Sequence, residues 1–425
     1  MEDTIFALAT AEGKAGVAVI RLSGPDSVAI LERLGGRAPE ARRASVQRLT
    51  DDGGALLDEA LVLRFDEGAS FTGEAVVELH LHGSIAIIRA VLDAIARTGL
   101  ARLARPGEFT RRALMNDRMD LLQVQGLGDL IDAETEAQRR EAMRVYTGEI
   151  SARVTGWRDR LIRARALTEA TIDFADEEVP EDVSPEVTAI LAQLLSEIDA
   201  ELAGVRAAKR IRSGFTVALV GPPNAGKSSL INALTRSDAA IVSDIAGTTR
   251  DVIEVRTDLR GLAVTFLDTA GIRETADRIE QLGVERARQR ASAADLRIFL
   301  AGDGADELGL PEQPGDLRIR TRADIDPRGT ISTKTMAGID ALLDSVHARL
   351  AEQSADAGLI TRERDRAALN EARQRIATVL ENSAIEAELV AAELQAAADT
   401  LRAIIGGVDI EAILDDIFAS FCIGK

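Results

Sequence analysis

Cysteine occurs once in the 425 residues, at Cys422. A single thiol closes no intrachain disulfide, which excludes a disulfide-built secreted fold. Aromatics make up only 3% of the chain, so its cores must rest on Leu, Ile, Val and Ala, a mix that favours helices. No apolar run approaches the roughly 20 residues of a membrane span. The opening stretch MEDTIFALATAEGKAG has no basic segment leading into an apolar one, as a secretory signal has. The chain is therefore expected in the cytoplasm and away from membranes. Basic charge is also short: 51 Lys and Arg stand against 70 Asp and Glu, a net charge of −19. Such a chain repels phosphate backbones in general, so a nucleic acid it served would need a local patch or a basic partner.

The residues that are present fall into blocks. The length points to two or three domains. The stretch to about residue 116 mixes short β-rich runs with turns, among them TIFALAT, GVAVIRLSG, ALVLRFDEG and the alternating AVVELHLHG. SIAIIRAVLDAIARTG then reads as an amphipathic helix ending at Gly99, and Pro106-Gly107 breaks the pattern a few residues later. Residues 117–212 have helical spacing, with an acidic, proline-containing break at DEEVPEDVSPEV. Residues 213–350 alternate strand and helix signals, and 351–425 return to helix. The fold class expected is multidomain α+β: a β-rich N-terminal domain (1–116) and a discontinuous helical domain (117–212 and 351–425) carrying an inserted P-loop α/β domain (213–350). Three domains in a row is the alternative.

FTVALVGPPNAGKSSLINAL carries the strongest chemistry. An apolar strand runs into Gly221-(four residues)-Gly226-Lys227-Ser228, and a helix comes at once, the order a phosphate loop requires. The backbone of Asn224, Ala225 and Gly226 is placed to cradle phosphates, Lys227 to reach the β- and γ-phosphates, and Ser228 to ligate Mg²⁺, with Ser229 beside it. Further on, VTFLDTAG delivers Asp268, Thr269, Ala270 and Gly271: Asp268 suits Mg²⁺ through water, and Gly271 suits a γ-phosphate sensor. Between them, Thr249 of SDIAGTTRD suits a switch threonine on Mg²⁺. This set reads as a GTPase. Two departures stand out. Ile272 occupies the position of the water-orienting glutamine of many small GTPases. Thr321-Arg322-Ala323-Asp324 stands where Asn-Lys-x-Asp would read guanine, leaving Asp324 as the base acceptor, with Ser332 to Lys334 next as a guanine-contacting loop.

With their flanks, these segments resemble the MnmE (TrmE) family of tRNA-modification GTPases. The likeness covers the whole chain through GVAVIRLSG, SFTGEAVVELHLHG, ARPGEFTRRALMND, IDFADEE, the P-loop region, DTAGIRETAD and the terminal FCIGK. It implies a folate-binding, dimerising N-terminal domain, and an FAD- and NADH-using MnmG partner in a heterotetramer that engages tRNA. It implies modification at C5 of the wobble uridine with a one-carbon unit from a tetrahydrofolate (5-formyl or 5,10-methylene). It also implies GTP hydrolysis that depends on K⁺ and on pairing of G domains. K⁺ would be held by Asn224, Ser243, Ile245 and Thr248, in a loop that includes Asp244, Ala246 and Gly247. Glu280 would position the attacking water. Folate contacts fall by this match on Arg21, Glu78 and Arg118, and Cys422 with Lys425 reaches the folate pocket. Read from the residues alone, Glu280 fits a solvated helix face, Arg21 and Glu78 fit exposed strand charges, and Cys422 fits a small buried hydrophobe.

His80 and His82 lie two apart on one strand and lack an evident third ligand, so a polar face is expected there rather than a metal site. Tyr146 and Trp157 are expected to pack. A regulatory GTPase of ribosome assembly, akin to Era or Der, is the competing reading. Such proteins add a basic RNA-binding module or a second G domain, and this sequence has one P-loop and no such module.

Overall fold

A computed structural model describes residues 3–173, 184–222, 224–235, 254–268, 288–300, 310–311, 313–382, 385–406, 417–418, 421 and 424. The chain forms two compact units, residues 1–128 with 405–425, and residues 129–404.

The first unit is built on a six-stranded sheet. Its elements in chain order are β1 (Thr4–Leu8), β2 (Val17–Ser23), α1 (Ser27–Arg33), β3 (Ser45–Thr50), β4 (Leu56–Phe65), β5 (Val76–His82), α2 (Ile85–Arg97), β6 (Ala101–Leu103), α3 (Glu108–Met115) and the first turns of α4 (Leu121–Ile131). The strand order is β3-β4-β5-β2-β1-β6, antiparallel throughout except for the β1–β6 pair. Period-two alternation decides the faces. In β5, Val77, Leu79 and Leu81 are buried with Ile20, Leu22, Val91 and Ile95 in one core, which leaves Glu78, His80 and His82 on the opposite face. Register sets Arg21 of β2 directly across from Glu78.

The Pro106-Gly107 interruption proves to be a helix start. Gly107 is the N-cap of α3 in the left-handed conformation (φ 67°), where a residue without Cβ is favoured. The ring of Phe418 packs against it. Phe418 also joins Leu121 and Val124 in a small core with Ile417 and Phe421 at its margin, so the apolar positions near the C-terminus dock on α3 and α4.

The second unit contains α5 (Glu136–Tyr146), α6 (Glu149–Asp173) and α7 (Ser184–Ser213), then β7 (Phe215–Val220), α8 (Lys227–Thr235), β8 (Glu254–Leu259), β9 (Leu262–Asp268), β10 (Leu296–Leu300) and β11 (Leu317–Ile319), and finally α9 (Ile339–Ser354), α10 (Glu363–Glu381) and α11 (Ala387–Ile405). The sheet order is β11-β10-β7-β9-β8, parallel except for β8. β8 and β9 form a hairpin whose turn residues Arg260 and Gly261 both have positive φ (53° and 93°), as a two-residue hairpin turn with the right twist requires. β7 reads as a continuous apolar run because it is central and covered on both faces. Among the described residues, no helix is long and apolar enough to cross a membrane. Trp157 is buried, its indole N–H donating to Glu197 at 2.8 Å.

Candidate functional sites

The phosphate loop leaves the C-terminal end of β7. Gly221 lies so close to β10 that a Cβ there would sit 2.7 Å from the Leu300 carbonyl oxygen, so no other residue fits without shifting the strands. Asn224 (φ 59°) and Gly226 (φ 96°) then take left-handed conformations that turn the loop into α8. α8 begins at Lys227, so the N–H groups of its first turn face the loop, the arrangement that binds phosphate. Lys227 is buried, and its ammonium donates to the carbonyls of Gly221 and Pro222, the latter at 2.9 Å. Ser228 Oγ donates to Asp268 Oδ2 at 2.7 Å, so β9, the strand beside β7, delivers this carboxylate to the first turn of α8. Ser229 is exposed on the same turn.

The base-reading position is joined to this loop. Thr321 Oγ1 donates to the Ala225 carbonyl at 2.9 Å. Asp324 Oδ1 accepts from the Ser332 hydroxyl at 2.9 Å, and Ser332 Oγ accepts the backbone N–H groups of Lys334 and Thr335 at 3.3 and 3.2 Å. The threonine thus makes a hydroxyl bond to the phosphate loop from the position expected for asparagine, and the fully buried Ser332 fixes the aspartate. The side-chain roles of Thr321 and Ser332 escaped the sequence reading; their partners lie 96 and 8 residues away.

In the first unit, Arg21 and Glu78 meet as their register demands. Arg21 Nε donates to Glu78 Oε1 at 2.9 Å, and Nη2 lies at the same distance. The pair is mostly shielded, at 22% and 15% side-chain exposure, which sets it apart from a solvated strand charge. The guanidinium lies 5.5 Å from the Phe71 ring centroid and 5.7 Å from that of Phe109. His80 Nε2 approaches the other Glu78 oxygen at 3.4 Å. Arg118 is exposed, and its stem packs on Gly73, two residues from Phe71, in a loop that Asn116 also holds through Thr72 at 2.7 Å. His82 Nδ1 pairs with Asp58 at 2.8 Å, and the described residues contain no metal-binding cluster of His, Cys, Asp or Glu. Gly424 lies against the backbone of Leu8 and Ala9, at the end of β1.

Ser243, Asp244, Ile245, Ala246, Gly247, Thr248, Thr249, Thr269, Ala270, Gly271, Glu280, Cys422 and Lys425 lie outside the described residues.

One group went unread as unusual. Glu141 of α5 is 8% exposed, and its Oε1 has no hydrogen-bond partner among the described residues. Burial, opposed by Arg144 and reinforced by Glu201 and Glu149, pushes its carboxyl up to about 7. It borders a cavity of about 520 Å³ with Gln138, Arg212 and Arg256.

A central strand, a glycine loop, a buried lysine at a helix start and a neighbouring strand's carboxylate on the serine define a P-loop nucleotide-binding protein. Comparison with known proteins narrows the class. The family model described as "GTP-binding protein TrmE N-terminus" matches residues 4–118, and that described as "MnmE helical domain" matches residues 121–422. A protein of Roseobacter denitrificans named tRNA modification GTPase MnmE is 53% identical over the full length of both chains. Proteins of the same name from Cereibacter sphaeroides and Ruegeria pomeroyi are 54% and 53% identical, again over the full length of both. Among solved structures, the G domain of the Thermotoga maritima FeoB iron transporter is 23% identical, covering 32% of this chain and 98% of that one, with a TM-score of 0.24. The chain belongs to the MnmE family of tRNA modification GTPases.

Proposed function

We propose that the chain binds and hydrolyses GTP in a K⁺-stimulated manner as part of a tRNA-modifying assembly. The observation that carries this reading is the Lys227–Ser228–Asp268 cluster at the start of α8, joined through Thr321 to the Asp324 loop. Lys227 compensates β/γ-phosphate charge, the first N–H groups of α8 hold phosphate oxygens, and Asp324 accepts from the guanine N1–H and N2 amine. The donor set fits Mg²⁺: a serine hydroxyl and a buried carboxylate are within 2.7 Å, both hard oxygen ligands. Ser228 would hold the ion directly and Asp268 through water, with Thr249 as a further ligand, and the ion would supply charge neutralisation between the phosphates. K⁺ is assigned to Asn224, whose exposed side chain leaves the loop from a left-handed backbone, together with Ser243, Ile245 and Thr248. When bound, K⁺ would supply the charge that an arginine finger supplies elsewhere, and Glu280 would orient water where Ile272 cannot.

The N-terminal unit is assigned a tetrahydrofolate. The Arg21–Glu78 pair offers donors and an acceptor side by side, as a pterin edge requires. Arg118 packs on the loop that carries Phe71, and Cys422 and Lys425 each come directly after a residue that packs on this unit, Phe421 and Gly424. The chain acts as a homodimer and, with an FAD-carrying MnmG-type partner in a heterotetramer, modifies C5 of the wobble uridine. The partner supplies much of the surface for tRNA, in keeping with this chain's net charge of −19.

GTP turnover in KCl and NaCl at matched ionic strength tests the hydrolytic reading: a much faster rate in KCl is expected, and equal rates refute the K⁺ assignment. Calorimetry with 5-formyltetrahydrofolate tests the N-terminal site, where absence of binding removes the folate assignment.

A further inference from the structure

The loop after β11 grips the phosphate loop at consecutive peptide groups. Thr321 Oγ1 donates to the Ala225 carbonyl at 2.9 Å, and Arg322 Nη2 lies 3.5 Å from the Asn224 carbonyl oxygen. Those two carbonyls belong to the peptide groups on the C-terminal side of Asn224, whose φ of 59° lies in the left-handed region, which asparagine adopts more readily than most residues other than glycine. The Thr321 methyl also occupies the space beside Gly226, where a Cβ would approach it to 3.2 Å. At its other end the same loop is stiffened by the Ala323 N–H bond to the Ile331 carbonyl (3.0 Å) and by the Ser332 bond to Asp324 (2.9 Å). One short, braced segment therefore carries the base-reading carboxylate and fixes the backbone of Asn224.

We infer that Thr321 is a positioning residue that couples base recognition to the monovalent-cation site. Its hydroxyl sets the left-handed turn from which the Asn224 side chain reaches the cation, so guanine held at Asp324 and a cation held at Asn224 favour each other. The inference rests on the reading of Asn224 as a K⁺ ligand. The geometry gives that reading a consequence of its own: removing one hydroxyl in the base loop must weaken cation binding, although Thr321 contacts no cation.

The test uses the full-length protein and fluorescence of mant-GDP with aluminium fluoride, titrated with KCl at constant ionic strength, which reads complex formation rather than turnover. Thr321→Val keeps the shape and removes the donor. The KCl needed for half-maximal complex formation should rise roughly three- to tenfold, the equivalent of one neutral hydrogen bond. Thr321→Ser and Thr321→Asn, which restore a donor, should bring it back. Thr321→Ala is run beside the valine variant, and mant-GDP binding without fluoride verifies a folded pocket in each. A K⁺-dependent parent protein whose valine and alanine variants keep the same K⁺ midpoint overturns the coupling. A parent protein that forms the complex equally in NaCl and KCl overturns the cation reading, and with it the coupling.

Discussion

Glu141→Gln should stabilise the protein most at alkaline pH and much less in mild acid. The carboxyl titrates near 7 instead of 4.5, and burial is the leading cause. A raised carboxylate value means that the folded state keeps a proton which the unfolded chain has already released. Between pH 4.5 and 7 the unfolded chain therefore binds fewer protons, and stability falls as pH rises. Above 7 the full cost of an ionised buried carboxylate is present. At ~1.4 kcal/mol per pH unit the ceiling is about 3 kcal/mol. Arg144, 3.4 Å from the other carboxylate oxygen, is already counted in that value, and relaxation in the ionised state lowers it, so about 1–3 kcal/mol is expected. Glutamine has nearly the same shape and no charge. Thermal unfolding of parent and variant at pH 5 and pH 8.5 reads the effect, at ~2–4 °C per kcal/mol for a unit of this size. The midpoint of the variant should exceed that of the parent clearly at pH 8.5 and by only about a quarter as much at pH 5, where the unfolded carboxyl is already largely ionised. A gain of equal size at both pH values would show that charge is not the cause, and a loss at pH 8.5 would refute the reasoning.

Arg112→Met should cost roughly 3–5 kcal/mol, because Arg112 is fully buried and its removal leaves the shielded Glu74 carboxylate without its cation, while Asp3 and Glu108 keep Arg102; urea unfolding of the first unit measures it, and a loss below ~1 kcal/mol contradicts the pairing. Lys227→Ala should abolish tight GTP binding in a filter or fluorescence assay, and normal binding by the folded variant would overturn the phosphate-loop assignment. Phe418→Ala should destabilise the first unit by ~3–5 kcal/mol through the void left against Gly107, Leu121 and Val124, seen as faster proteolysis; unchanged proteolysis would show the ring does not anchor the tail. Cys422→Ser should impair tRNA modification in the complex reconstituted with an MnmG-type partner, and full modification would reduce the thiol to packing.

Local patterns were legible and distant pairings were not. The phosphate loop announces itself because its glycines, lysine and serine are contiguous and bounded by a strand and a helix, all read within 20 residues. β5 declared its two faces through strict alternation, and Arg21 and Glu78 could be placed on strands. Their mutual pairing and the aromatic rings flanking Arg21 depend on register, which joins residues 57 apart. β3 escaped notice because it is an edge strand of mixed polarity: Val46 and Arg48 are exposed, Ser45, Gln47 and Thr50 are half-buried, and only Leu49 is fully buried. α3 was hidden by Pro106-Gly107, a break by composition that is a helix start by conformation. Glu141 looks in sequence like one more charge on a charged helix. Only its burial in the fold, close to Glu201 of α7, removes it from water.

The Glu201 side of α7 also shows how, within the second unit, the helix before the sheet is tied to the chain that follows it. Glu201 Oε1 accepts the backbone N–H groups of Leu359 and Ile360, the latter at 2.9 Å, while its Oε2 takes Arg153 at 3.0 Å. Three residues on, Gly204 offers its carbonyl to the Gly358 N–H at 3.1 Å, an approach that a side chain on either glycine would block. The chain's return from the sheet is thus pinned to the helix that leads into it. The other attachments fall at the same end of the strands. Arg210 pairs with Asp295 just before β10, Asp295 bonds Thr216 at the start of β7, and Ala137 of α5 donates to Gly261 in the β8–β9 turn. None of these contacts touches the opposite strand ends, where Gly221 and Asp268 stand. In parallel sheets, ligands bind outside the carboxyl ends of the strands. Anchoring the amino ends therefore leaves the nucleotide end able to rearrange with its ligands. β9 thus runs from the Gly261 turn, bonded to α5 at one end, to Asp268 at the other.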